Sequence, residues 1–157
     1  MAPNYQNQLD SLKPQSADCK CFSAGHDLGD IAEGEKLPRP NFQSHVIEAL
    51  AKLPQPVITA VHLHCFTGAL ELALAGDVIL CSENARFGDT HAKFALTPIW
   101  GMSQRLPRRI GRANAMDMMI TARTVKGPEA AEIGLANHCY SDDNFDAEVD
   151  AYCKSVL

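Results

Sequence analysis

The apolar positions of this chain fall into short blocks whose period changes from helical to strand-like and back. Residues 68–75, GALELALA, are apolar on every side except at Glu71, between a turn-like Thr67 and a helix-stopping Gly76. A segment apolar all round predicts a buried helix, with Thr67 as N-cap and Gly76 as the C′ residue. Residues 57–61 and 77–81 are short and β-branched, so the unit reads strand, helix, strand, which predicts parallel pairing. Residues 41–53 carry Phe42, Val46, Ile47, Leu50 and Ala51 at helical spacing and stop before Pro54, predicting an amphipathic helix.

Further along, residues 85–89 predict another short strand. Residues 102–110 and 112–121 each show the helical period; Pro107 is expected to bend or interrupt the first. Ala113, Met116, Met119 and Ile120 mark the second, with its methionines as core filler. A short helix opens at Pro128 and stops at Gly134, residues 136–140 predict a strand, and residues 145–157 a last amphipathic helix. Residues 1–20 hold no sustained apolar period and read as a poorly structured leader. The rest of the chain, 21–157, reads as one domain, with a sharp turn at Gly25 and a charged, mobile loop over 29–40.

Composition narrows the partners. With a net charge of -5, the 157-residue chain offers no electrostatic attraction to nucleic acid or to an anionic membrane, and no apolar run approaches the roughly 20 residues of a membrane span. The first residues lack a hydrophobic signal, so a cytoplasmic location is expected. The six cysteines are scattered and form no C-x-x-C pair, which fits free thiols in a reducing compartment; Cys19 and Cys21 have no second pair to complete a metal site.

Candidate chemistry gathers at the predicted buried helix. Its first turn leaves the N–H groups of Gly68 and Ala69 without intrahelical partners, and Glu71 lies one turn on, on the face of Gly68. A buried carboxylate either has a hydrogen-bonded structural partner or is held there for chemistry. In an extended strand His62 and His64 would share a face, close to Cys65, but no closed four-ligand set is present, so these read as core or turn residues and no metal is expected. Arg105, Arg108, Arg109 and Arg112 read as a solvated helical face.

Two motifs, Phe22-Ser-Ala-Gly-His-Asp-Leu28 and the block from Pro56 to Leu106 with its E-L-A-L-A-G-D and A-R-F-G segments, resemble the crotonase superfamily, the enoyl-CoA hydratase/isomerase group. Gln104-Arg-Leu-Pro-Arg108, Ile110-Gly111 and Ala130-Ala131 before Gly134-Leu135 extend the likeness toward the end of the chain. The resemblance implies an α/β fold of the ClpP/crotonase type, a superhelix of strand-strand-helix turns, here incomplete at both ends. It implies an enzyme that holds the enolate of a fatty acyl-CoA thioester in an oxyanion hole made by the backbone N–H groups of His26 and Gly68. Glu71 falls at the first catalytic glutamate of the family hydratases. The second falls on His91, which serves either as an acid/base or as a pocket-lining residue. Ala24, Asp27 and Phe66 would contact substrate, the arginine group could meet CoA phosphates, and CoA within the substrate is the only cofactor implied. A homo- or hetero-oligomer like the family trimer is also implied. The departures at Leu63, Thr67, Ala69, His91, Trp100 and Met102, with the missing family segments, support the alternative of a non-catalytic crotonase-fold remnant or assembly subunit.

Overall fold

The computed structural model describes residues 21–23, 25 and 41–156. The leader read at 1–20, the loop at 29–40, and Ala24, His26 and Asp27 lie outside these residues. Helix α1 (Phe42–Leu50) leads into β1 (Ile58–Val61), β2 (His64–Phe66) and helix α2 (Gly68–Ala73). The same order repeats as β3 (Val78–Ser82), β4 (Arg86–Gly88), a 3-10 turn (His91–Phe94) and helix α3 (Met102–Thr121). The chain continues through β5 (Val125–Lys126), helix α4 (Gly127–Glu132), β6 (His138–Tyr140), a 3-10 turn (Asp142–Asn144) and helix α5 (Phe145–Ser155).

Each strand-strand-helix turn lays its two strands on two different sheets. In one, β1 pairs with β3 and β3 with β6, all parallel, with Ile58 opposite Val78 and Leu80 opposite His138. In the other, β2 pairs in parallel with β4, which pairs antiparallel with β5. Ser23 adds a parallel bridge to Cys65, so the segment before Gly25 runs beside β2. Successive turns therefore stack one strand spacing apart, and the ends of β2 and β4 come side by side. The core between the layers is built on Val61, Leu70, Ile79, Phe87, Met102, Leu106, Met118, Val125 and Leu135.

The structure redraws four sequence expectations. Strand β2 is absent from the sequence pattern: three residues are too short to show alternation, and the chain reaches it through Leu63, a non-glycine in the left-handed region at φ 51°. That turn also separates the two histidines expected on one strand face: the His62 ring packs toward Phe145 and His64 toward Phe66. The break in α3 falls at Gly111 (φ 76°, ψ 159°), with Pro107 inside the first of its two helical segments. The Ile110 carbonyl accepts a hydrogen bond from the Asn114 side chain at 3.1 Å. Finally, Ala115 and Met118 face the core from the second segment, while Met116 and Ile120 are exposed. The second segment thus packs through Ala115 and Met118 and leaves outside most of the Ala113, Met116, Met119 and Ile120 set that the sequence marked, with Met119 half-buried.

Helix α2 is two residues shorter than expected and buried along Gly68, Ala69, Leu70, Glu71 and Ala73. Its six residues are too few for a stable isolated helix, so packing holds it in place. Leu70→Ala, which empties a fully buried site in this helix, is expected to lower stability by about 2–5 kcal/mol in a urea or guanidinium titration.

Candidate active site

The start of α2 is the point where four segments meet. Thr67 precedes the helix at φ 56°, ψ -116°, a conformation that a β-branched residue adopts only under external constraint. Its side chain does not cap the helix, as the sequence suggested; its hydroxyl is hydrogen-bonded to that of Thr90, and its N–H donates to the Gly88 carbonyl at 2.9 Å. These contacts tie the helix entry to the end of β4. On the other side stands Gly25, at φ 103°, whose N–H donates to the Ser23 hydroxyl at 3.2 Å. A Cβ on Gly25 would lie 2.9 Å from the Phe66 carbonyl oxygen and 3.5 Å from the Gly68 nitrogen, so only glycine lets the two backbones approach this closely. Among the described residues nothing accepts the Gly68 N–H.

Trp100 closes the third side. A Cβ at Gly68 would fall 2.5 Å from a carbon of the Trp100 ring, so the indole lies directly on the glycine. The same turn holds Glu71. Glu71 is 1% exposed, and its Oε1 accepts the backbone N–H groups of Trp100 at 2.8 Å and Met102 at 3.0 Å. Two amides on one carboxylate oxygen, each worth roughly 1.5–3 kcal/mol, offset part of the cost of burying it. The other oxygen, Oε2, faces His91 Nε2 at 3.7 Å. His91 is buried as well, and both its backbone N–H (3.1 Å) and its Nδ1 (2.6 Å) meet one oxygen of Asp89, itself 2% exposed.

The structure thus brings Glu71, His91 and the Gly68 amide to one place. Phe66 stays at the edge of this group, with its half-buried ring packed against Gly88. The expected partners Ala24, His26 and Asp27 fall outside the described residues; Gly25, between them in sequence, reaches the mouth of α2. Sequence reasoning missed Asp89 and the amides of Trp100 and Met102. Asp89 carried a signal, an acid two residues before a histidine. The amides carried none, since any residue supplies an N–H.

The arginines divide. Arg105 pairs with Glu48, Arg109 donates to the Leu135 carbonyl and Asn137, and Arg108 to the Gln104 carbonyl of its own helix. With Ala51, Leu74, Ala75, Gly76 and Asp77 they line a shallow groove of about 300 Å³.

Burial raises the Glu71 carboxyl above its ordinary value of 4.5, and the charge of Asp89 adds to this; the Met102 and Trp100 amides and His91 act the other way. The folded protein therefore holds this proton more tightly than the unfolded chain. The resulting stabilisation is fully present below pH 4.5 and is lost as pH rises through the raised folded value. Glu71→Gln keeps an oxygen for the two amides and has no charge to bury. Urea titrations below pH 4.5 and at neutral pH are expected to show the variant gaining stability relative to the wild type as pH rises. An unchanged difference would mean that the carboxyl is not buried as described.

Comparison with known proteins gives the same architecture. An enoyl-CoA hydratase subunit I from Geobacillus kaustophilus HTA426 superposes with a TM-score of 0.79 at 27% identity, over 87% of this chain and 53% of that one. The carnitinyl-CoA dehydratase of Salmonella enteritidis PT4 is 41% identical over 125 residues, 78% of this chain and 48% of that protein. The peroxisomal Delta(3,5)-Delta(2,4)-dienoyl-CoA isomerase of Arabidopsis thaliana is 35% identical over 134 residues, 85% of this chain and 46% of its own. The strand-strand-helix superhelix is that of the crotonase fold. Residues 16–157 match the model of the enoyl-CoA hydratase/isomerase family, and the chain belongs to that family. It spans about half the length of the curated relatives it matches.

Proposed function

We propose that this site takes the thioester of a fatty acyl-CoA, holds its enolate with the backbone N–H groups of Gly68 and His26, and adds water across a conjugated double bond. The observation that carries the reading is the pair of ionisable groups, Glu71 Oε2 and His91 Nε2, facing each other at 3.7 Å, the carboxylate on the helix that begins with the Gly68 amide, which no described residue accepts. Hydration needs two such groups, one to take a proton from water as its oxygen bonds to carbon 3 and one to give a proton to carbon 2. Moving a double bond needs only one carrier that gives and takes, so the second, buried carrier favours hydration over isomerisation. The electron pair displaced from the double bond comes to rest on the thioester oxygen, where fixed N–H donors stabilise it by about 3 kcal/mol each. CoA arrives with the substrate, and the chemistry calls for no separate cofactor.

The test is hydration of crotonyl-CoA by the wild type, by Glu71→Gln and by His91→Gln. Each substitution is expected to lower kcat by about 10²–10⁴-fold. Trp100 is the single tryptophan of the chain and lies on Gly68, so its fluorescence is expected to change as acyl-CoA binds, in the wild type and in both variants. Absence of turnover together with an unchanged Trp100 signal would overturn the reading in favour of a non-catalytic member of the fold.

A further inference from the structure

Asp89 is a buried acid to which neither the sequence motifs nor the proposed chemistry assigns a role. It lies one residue beyond β4, and one of its oxygens receives two contacts from a single residue: the backbone N–H of His91 at 3.1 Å and the ring Nδ1 at 2.6 Å. The backbone N–H can only donate, which establishes that oxygen as an acceptor. An ionised carboxylate has no proton to offer the ring. Against such an acceptor the ring nitrogen at 2.6 Å carries the hydrogen, and in the neutral ring, which has one hydrogen for two nitrogens, Nε2 then holds the lone pair. That lone pair lies on the side of the ring that faces Glu71 Oε2. The second neighbouring acid has its other oxygen occupied by Trp100 and Met102. Asp89 and Glu71 thus hold opposite edges of one imidazole.

We propose that Asp89 is a positioning residue that keeps His91 in the Nδ1–H tautomer and so presents a bare Nε2 to the space shared with Glu71. The proposal rests on the hydratase reading for its consequence, not for its geometry. In that chemistry a bare Nε2 makes His91 the group that takes the proton from water. The water O–H bond breaks, the new O–C3 bond forms, and the displaced pair moves to the thioester oxygen. Glu71, whose carboxyl burial keeps protonated more readily than usual, gives its proton to carbon 2 as the enolate collapses. The proton on Nε2 then returns to Glu71 and the site is reset. Without Asp89, an imidazole placed here is free to carry its hydrogen on Nε2, where it cannot accept one.

The tautomer can be read directly. Long-range ¹H–¹⁵N correlation spectra of the full chain with labelled histidine, at mildly alkaline pH and with His91 identified by its loss in His91→Gln, are expected to show Nε2 unprotonated and Nδ1 protonated. In Asp89→Ala the protonated nitrogen is expected to change to Nε2. With crotonyl-CoA, kcat is expected to fall roughly 10–100-fold, as for loss of a ligand-orienting partner, with KM little altered. Asp89→Asn keeps an acceptor oxygen of the same shape; it is expected to retain the wild-type tautomer and most of the activity, and it serves if the alanine variant does not fold. A wild-type spectrum with the hydrogen on Nε2, or an unchanged tautomer in Asp89→Ala, would overturn the proposal. A protein with the expected tautomer and no turnover of crotonyl-CoA would overturn the hydratase reading alone and leave the role of Asp89 standing.

Discussion

The carboxylate of Glu71, buried at the foot of a six-residue helix, sets the terms for everything around it. A charge in that position is costly unless it is met by donors, and a short apolar helix supplies none on the facing side. The donors come from the turn at Trp100 and Met102, some thirty residues later in sequence, through two backbone amides that converge on one oxygen. That convergence draws the start of α3 onto α2. The indole of Trp100 consequently settles on Gly68, where any larger residue would collide with it.

The two oxygens of Glu71 divide the work. One accepts the two backbone amides and ties the helix to the turn at Trp100; the other faces the His91 ring. Such a site is stabilised only in part, since burial still pushes the carboxyl toward its neutral form. The same region accommodates a β-branched residue, Thr67, at positive φ, held by its contacts to Gly88 and Thr90. Strained backbone, a half-compensated acid and an amide with no acceptor among the described residues, all within one turn of helix, are costs that the surrounding core offsets.

The superhelical arrangement explains how so few residues meet so densely. Because β1 pairs with β3 and β2 with β4, one turn of chain lies directly on the next, in register. The helix entry at Thr67, just past β2 in one turn, therefore sits beside the Asp89-Thr90-His91 segment, just past β4 in the next. The approach of Gly25 from a third strand segment uses the same geometry at Ser23 and Cys65. The site is assembled from equivalent positions of successive turns.

Much of this was legible from residues alone. A run that is apolar all round, interrupted by one acid and bounded by turn-formers, predicts a buried helix with a buried carboxylate, and the structure has both over Gly68–Ala73. The helical segments at 102–110 and 112–121 were also legible in their period, and the place of His91 and Gly68 in their motifs. What only the tertiary structure decided was which groups answer each other across space. Three-residue β2 carries too few positions for a period, and the left-handed turn at Leu63 overrides the usual preference of its side chain. The second segment of α3 buries Ala115 and Met118, not the Met116 and Ile120 that its period marked. The amides that hold Glu71 belong to peptide bonds, which every residue possesses, so no residue type could announce them; their identity was settled by chain packing alone.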